Sequence, residues 1–430
     1  MLHRGSFTRL HRVHSQFGGH AMIACKSRRL VLLLVAIPVL LAAVACTTTP
    51  SSTSAPAQEG HRFTSAQQRQ LERHTLGVSS RTAASSTMQP AATPMPLPRA
   101  VATPPYQWRL DGNTLSIDDY FKRQPVMAVL IAKDGVIQYE RYQYGLSAQH
   151  RYLSNSMAKS FTSLAMGFAL NEAKVSTLDA LTQSYLPELK GTAYGETTLR
   201  NLMRMGSGVK FSETYKPDDD STRFRDARNR VGVVQATKLF NDREVPQGSR
   251  FNYASIETAL IGAVLKAATS ESVTAYLEPR LWQAIGAGGA ARWELDRTGL
   301  ELTQCCITAL PHDYLRLGIV LANDGKRPDT AKQVIPRDYL VDSTDWHRAE
   351  SPFRPQPLST GYNNYFWLQG SEARRFVLLG VHGQAIFVDP ANKLVMLHLA
   401  ASESAKVGET SMARERAALW RGVVQHYGKW

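Results

Sequence analysis

Ser154-Asn155-Ser156-Met157-Ala158-Lys159-Ser160-Phe161 is the stretch on which the reading of this 430-residue chain turns. From it, Met157, Phe161, Leu164, Ala165 and Phe168 recur at offsets of four, seven, eight and eleven, a helical stripe. If the helix begins near Ser156, Lys159 sits one turn along on the same side, because residues three apart are surface neighbours roughly 5–6 Å apart at Cβ. An amine there takes the hydroxyl proton, and an ammonium favours the alkoxide. The helix N-terminus adds backbone N–H groups and partial positive charge beside the hydroxyl. Ser156 and Lys159 therefore read as an activated nucleophile and its base. A second Ser-x-x-Lys, Ser207-Gly208-Val209-Lys210, lies in a Gly-rich turn rather than at the head of an apolar helix and is set aside.

Upstream, Lys26, Arg28 and Arg29 precede an apolar run from Leu30 to Ala45 that ends Ala43-Val44-Ala45-Cys46. At about 16 residues the run is shorter than the ~20 of a transmembrane helix, so residues 1–45 read as a signal peptide whose true start is expected at Met22. The small residues before Cys46 resemble a bacterial lipobox, which implies a periplasmic or cell-envelope lipoprotein held to the membrane by a lipid on Cys46. Ala43-x-Ala45 equally suits ordinary signal peptidase and a secreted product. Residues 46–105, rich in Ser, Thr, Ala and Pro, read as a flexible tether.

The remaining residues, 106–430, suffice for one large domain. Formal net charge is +14, but the first 45 residues hold six basic and no acidic residues, so the rest carries 44 basic against 36 acidic, or +8. Basic residues are scattered except for Arg223, Arg225, Arg228 and Arg230, which follow Asp218-Asp219-Asp220 and read as a self-neutralising surface loop. There is no nucleic-acid footprint. Neither metal-ligand spacing nor a Gly-rich phosphate loop occurs, so no cofactor is implied. Cys305-Cys306 read as two small buried thiols, since adjacent cysteines pair only through a strained ring.

Val126–Ala132 and Val136–Tyr142 flank Asp134-Gly135, a hairpin signal. Helical patterns follow at Leu178–Tyr185, Leu199–Met205, Ile256–Ala268, Val273–Ile285 and Pro311–Asn323. The apolar runs Phe376–Leu379, Ala385–Val388 and Leu394–Leu399 read as strands, and Ser411–His426 as a last helix. The fold class is therefore α+β: one antiparallel sheet built from both ends of the domain, with a mainly helical region, roughly 160–365, inserted between them. The cleft between the two regions is the natural site.

Two further stretches carry chemistry. Tyr253 follows a Pro246–Gly248 turn and precedes the helix near Ile256; a lysine cation such as Lys159 is expected to lower its phenol from the usual pKa of about 10. Gly380-Val381-His382-Gly383-Gln384 sets backbone N–H groups at the start of a strand. His382 has no evident acidic partner and is read as a structural hydrogen-bonder rather than a base.

Together these stretches resemble the serine β-lactamase and penicillin-binding-protein superfamily, in its class C–like branch of esterases, D-aminopeptidases and 6-aminohexanoate-dimer hydrolases. Ser156-x-x-Lys159 matches the first motif, Tyr253-Ala254-Ser255 the second, and Val381-His382-Gly383 stands where relatives have Lys-Thr-Gly. The resemblance implies a β-lactamase/transpeptidase-like fold, with Ser156 acylated and Lys159 and Tyr253 sharing the proton transfers. It further implies an oxyanion hole from the N–H groups of Ser156 and Gln384 (or Ala385), with Ser255, His382 and Gly383 at the substrate. Val381 in place of lysine, Ser255 in place of asparagine, and Cys305-Cys306 in place of Gly-Gly argue against an efficient β-lactamase. They favour a neutral ester or a linear amide, a small molecule, as substrate. A β-lactamase, a D-Ala-D-Ala-type peptidase and an inactive envelope-binding domain are the alternatives.

Overall fold

In this computed structural model the described residues are 61–75, 84–354, 360–405 and 410–430. The signal segment and Cys46 lie outside them. Helix α1 (Ser65–Thr75) comes before strand β1 (Ser85–Met88), and a hairpin of β2 (Gln107–Leu110) and β3 (Asn113–Ser116) leads into α2 (Ile117–Arg123). The start of α2 is fixed by a reciprocal capping box between Ser116 and Asp119. Strands β4 (Val126–Lys133) and β5 (Val136–Tyr142) form the expected hairpin. Asp134 and Gly135 have φ of 52° and 79°, the two positive values that a tight two-residue hairpin turn needs.

The inserted region starts after β6 (Tyr152–Leu153) with a 3₁₀ turn, Asn155–Met157, that runs into α3 (Ala158–Asn171). It continues through α4 (Leu199–Met203), α5 (Asp220–Val231), α6 (Val233–Thr237), α7 (Ser255–Thr269) and α8 (Val273–Leu277). Strands β7 (Ala291–Glu294) and β8 (Ile307–Ala309) follow, then α9 (Pro311–Ala322) and α10 (Arg337–Thr344). Leu178–Tyr185 is not the expected helix. Leu181 bridges to Thr198 and only Thr182–Ser184 turns as 3₁₀, with the Thr182 hydroxyl bonded to the Thr197 carbonyl. Local side-chain bonding of this kind competes with helix. The chain then returns through β9 (Gly361–Asn363), β10 (Phe366–Gln369), β11 (Arg375–Gly380), β12 (Gln384–Asp389) and β13 (Leu394–Ala400) to α11 (Ser411–Tyr427).

As expected, both ends of the domain build one antiparallel sheet, in the order β5-β4-β13-β12-β11-β10-β9. Side chains alternate across it with period two. Val129 and Ile131 of β4 face a core with Tyr120, Phe121 and Trp420, whereas Ala128, Leu130 and Ala132 face the larger core shared with α3, α7 and α9. Both faces are covered, which is why β4 reads as an unbroken apolar run. A smaller antiparallel sheet, β1-β7-β8-β6, supports the turn that carries Ser156.

The tether assigned to 46–105 needs correction at its C-terminal end. β1 pairs with β7, and beyond it the Ala91 and Met95 N–H groups donate to Ala287 and Gly286, both at 2.9 Å. Met88 and Met95 are buried in the main core. A few apolar anchors with edge pairing hold this polar stretch, and the average composition conceals them. The folded part therefore begins well before residue 106, and the α1 segment also packs on the main core through Phe63 and Leu71. Met88→Ala is expected to lower the unfolding free energy by about 2–5 kcal/mol, the usual loss for a buried methionine truncation, measured by chemical denaturation. A change below about 0.5 kcal/mol, the range of ordinary surface positions, would show the segment to be peripheral.

Candidate active site

Ser156 sits in the middle of the 3₁₀ turn rather than inside α3, and the turn is clamped on two sides. The N–H of Ser154 donates to the Ile307 carbonyl at 2.7 Å, and the Ser154 hydroxyl accepts from the Ile307 N–H at 3.0 Å. On the other side the Asn155 side-chain amide donates to the Val381 carbonyl at 3.0 Å. Asn155 has a φ of 46°, a conformation asparagine tolerates better than most residues. Gly380 lets the turn approach the large sheet, because a Cβ there would lie 2.5 Å from the Ser154 carbonyl oxygen. Ser156 is thus fixed at the junction of the two sheets and the head of α3.

Lys159, on the first turn of α3, is buried. Its Nζ lies 3.3 Å from Ser156 Oγ, 2.9 Å from Ser255 Oγ and 2.9 Å from the Gln304 carbonyl oxygen. Ser255 opens α7, and its N–H and hydroxyl both donate to the Glu213 carboxylate, at 2.6 and 2.7 Å. These contacts wire the group in one direction. With the Ser255 hydroxyl donating to Glu213, Ser255 Oγ accepts from Nζ, as does the Gln304 carbonyl, and in a neutral amine the lone pair is left for the Ser156 hydroxyl. Burial lowers the Lys159 pKa to about 8, against the opposing pull of the Glu213 carboxylate.

The Tyr253 hydroxyl is hydrogen-bonded to the Ser156 side chain, and Lys159 Nζ lies 5.0 Å from the centre of its ring. The expectation that Lys159 lowers this phenol is overturned. Burial first, and then Glu213, push its pKa well above the ordinary value. Tyr253 is a protonated phenol in the resting site.

Glu213 was not singled out in the sequence, and the Gln304 carbonyl was not either. Glu213 lies on the loop between α4 and α5, and that loop is held by the acidic run thought to neutralise the arginines. Asp219 caps α5 through the Thr222 N–H at 2.9 Å and also accepts from the N–H groups of Thr214 and Tyr215, both at 2.7 Å. Arg223 does pair with Asp220 at 2.7 Å, but Arg228 turns inward and is buried. The general signal for Glu213 was available: a buried cation needs a partner.

The third motif divides. Val381 lines the cavity over Ser156, a cleft of about 180 Å³ that also includes Glu213, Tyr215, Arg225, Arg228, Ser255, Gln304 and Cys305. His382 is half-buried, and its Nδ1 is 2.8 Å from the Ser402 carbonyl. Burial lowers its pKa, consistent with a structural hydrogen-bonder. Gly383 and Gln384 are buried and do not line the cleft; the Gln384 amide donates to the Ala400 carbonyl at 2.7 Å. Cys305 and Cys306 form a disulfide, not the two thiols expected. The chain doubles back here, with Cys305 N–H on the Leu302 carbonyl and Cys306 at a φ of 77°, which brings the sulfurs together.

A larger cavity of about 860 Å³ opens between α3, α4 and α10, but none of Ser156, Lys159 and Tyr253 lines it. The second Ser-x-x-Lys is not a catalytic pair: Ser207 is buried and donates to Glu257 at 2.5 Å, while Lys210 is exposed. Glu213→Gln removes the charge that raises the Lys159 pKa, so that pKa is expected to fall below its wild-type value, read by NMR titration of the labelled side-chain amine. An unchanged or raised value would show that Glu213 does not act on Lys159.

A family model described as Beta-lactamase matches residues 117–419. The chain is 23% identical over 337 residues to the 6-aminohexanoate-dimer hydrolase of Paenarthrobacter ureafaciens, covering 75% of this chain and 83% of that protein. Among solved structures, a candidate 6-aminohexanoate-dimer hydrolase from Bacillus anthracis superposes with a TM-score of 0.74 at 20% identity, over 88% of this chain and 98% of that one. EstCE1, a hydrolase with promiscuous acyltransferase activity, gives a TM-score of 0.54 at 15% identity, over 69% and 92%. The resemblance expected from the three motifs holds: the chain belongs to the beta-lactamase family of serine hydrolases.

Proposed function

We propose that this protein cleaves a carboxylic ester or linear amide through an acyl-enzyme on Ser156. The observation that carries the reading is the buried Lys159 amine, set between Ser156, Ser255 and the Gln304 carbonyl with its pKa lowered to about 8. In acylation Lys159 takes the Ser156 proton as Oγ attacks the carbonyl carbon. Tyr253, held protonated, gives its proton to the leaving oxygen or nitrogen. In deacylation the resulting phenolate is a strong base and takes a proton from the attacking water, while the Lys159 ammonium returns the proton to the departing Ser156 oxygen. The cycle closes with every group in its starting state.

The developing oxyanion is received by the Ser156 N–H and a second N–H from the Val381–Gln384 connection. Of that connection, Val381 lines the cleft. The disulfide anchors the wall next to Gln304, so Cys305 bounds the substrate as well as the lysine. The absence of a lysine at Val381 disfavours β-lactams relative to esters and linear amides, and the family relatives that act on 6-aminohexanoate dimer support an amide as one candidate. Export, with lipid attachment at Cys46, completes the proposal; metabolic labelling with a palmitate analogue that is unaffected by Cys46→Ala would rule that anchor out.

Ser156→Ala is expected to reduce kcat on p-nitrophenyl butyrate or 6-aminohexanoate dimer by about 10³-fold or more, as for other nucleophile deletions. Turnover chiefly of nitrocefin would move the substrate assignment to β-lactams. Because the base must be the neutral amine, kcat/KM should be low at acidic pH and rise through pH about 8. A profile flat from pH 6 to 9 would exclude Lys159 as the base.

A further inference from the structure

The Cys305–Cys306 disulfide stands between the contacts that place the serine and the lysine. On its N-terminal side the Gln304 carbonyl accepts from Lys159 Nζ at 2.9 Å. On its C-terminal side Ile307 clamps the turn that carries Ser156. The Ile307 N–H donates to Ser154 Oγ at 3.0 Å, and the Ile307 carbonyl accepts from the Ser154 N–H at 2.7 Å. The two cysteines are all that separates the hold on the lysine from the hold on the serine.

The flanks of the pair are pinned. The Thr303 carbonyl accepts from the Thr162 hydroxyl of α3 at 2.9 Å, and the Cys305 carbonyl accepts from Trp293 Nε1 at 2.8 Å. The Cys306 carbonyl has a longer bond, 3.3 Å, from the Glu294 N–H. Between these anchors the backbone turns at Cys306, whose φ of 77° is one that a residue with a Cβ rarely adopts. Such a conformation persists only where the surroundings impose it, and a ring closed across the two side chains imposes it here. Both cysteines are half-buried, and Cys305 lines the cleft, so a small thiol reaches the ring from the opening above Ser156.

We propose that the Cys305–Cys306 disulfide is a reducible positioning site of the active centre: closed, it holds Lys159 and Ser156 in register, and opened by a dithiol it releases them and lowers turnover. This rests on Ser156 and Lys159 being the acylating pair. One thiolate of the dithiol attacks a ring sulfur and breaks the S–S bond, and its second thiol displaces the mixed disulfide. Two electrons and two protons end on Cys305 and Cys306 as thiols, and the dithiol leaves as its own cyclic disulfide. Exchange with an oxidised thiol compound runs the same steps backwards and recloses the ring.

The test reduces the full chain with dithiothreitol, desalts it under argon and assays p-nitrophenyl butyrate before and after reclosure with oxidised glutathione. Reduction should lower kcat by about tenfold or more, the scale of one lost charge-assisted hydrogen bond, with KM little changed, and reclosure should restore it. Glycine takes a positive φ without strain, so Cys306→Gly should stay near the oxidised level through reduction. Cys306→Ser keeps the Cβ without the ring and should stand near the reduced level throughout. A general loss of stability would lower both variants alike. The switch is overturned by a kcat unmoved in protein whose opened ring is verified by peptide mass, or by a change confined to KM. An equal fall on reduction in Cys306→Gly, which retains Cys25 and Cys46, also overturns it. If Cys306→Gly does not fold, the same cycle in Cys25→Ala/Cys46→Ala protein decides. If the oxidised chain cleaves no ester, the serine-hydrolase reading fails separately. The NMR resonance of the labelled Lys159 side-chain amine then decides: a shift on reduction supports the positioning site, and an unmoved resonance refutes it.

Discussion

The structure depends on one buried amine. Lys159 can sit at the base of the cleft only because its three neighbours, Ser156 Oγ, Ser255 Oγ and the Gln304 carbonyl, satisfy it without a direct ion pair. A carboxylate in contact would hold the lysine as an ammonium. Glu213 is instead held one hydroxyl away, on Ser255. Its field opposes desolvation without cancelling it, and the result is a pKa near 8. An amine poised near the working pH is suited to proton transfer in both directions.

Each neighbour of that amine comes from a different part of the chain, which explains the architecture. Ser156 is delivered by a turn clamped between β8 and the β11–β12 connection. Ser255 is delivered by the first residue of α7, and Gln304 by the loop that closes on the Cys305–Cys306 disulfide. The inserted helical region is held against the sheet at these points. His398 extends the support from below: its Nδ1 donates to the Gly383 carbonyl at 2.6 Å and its Nε2 accepts from Tyr120 at 2.8 Å. Burial lowers its pKa to about 3, so it stays neutral and fixes the connection carrying Val381 without titrating.

Much of this was legible in the sequence because the signals are local. Periodicity located α3, turn chemistry at Asp134-Gly135 located the first hairpin, and the spacing of Ser156 and Lys159 located the pair. What was hidden depends on distant partners. Glu213 belongs to no motif and becomes relevant only when α7 brings Ser255 to it. The rise of the Tyr253 phenol follows from burial, which a sequence does not display. Met88 and Met95 were concealed by the polar average around them. Arg228 looked like one of four surface arginines, although it falls four residues after Phe224, on the face of the helix that is buried. The disulfide required knowing that the chain reverses at Cys306.

The central claim is that Ser156 carries the acyl group. The full chain would be mixed with a p-nitrophenyl ester, quenched in acid within the first turnovers, digested and mapped by mass spectrometry. The account predicts one added acyl mass on the peptide containing Ser156, absent when the protein is quenched before substrate is added. An acyl group on another residue, or sustained hydrolysis by an enzyme whose Ser156 peptide never carries one even when deacylation is slowed at low pH, would contradict it.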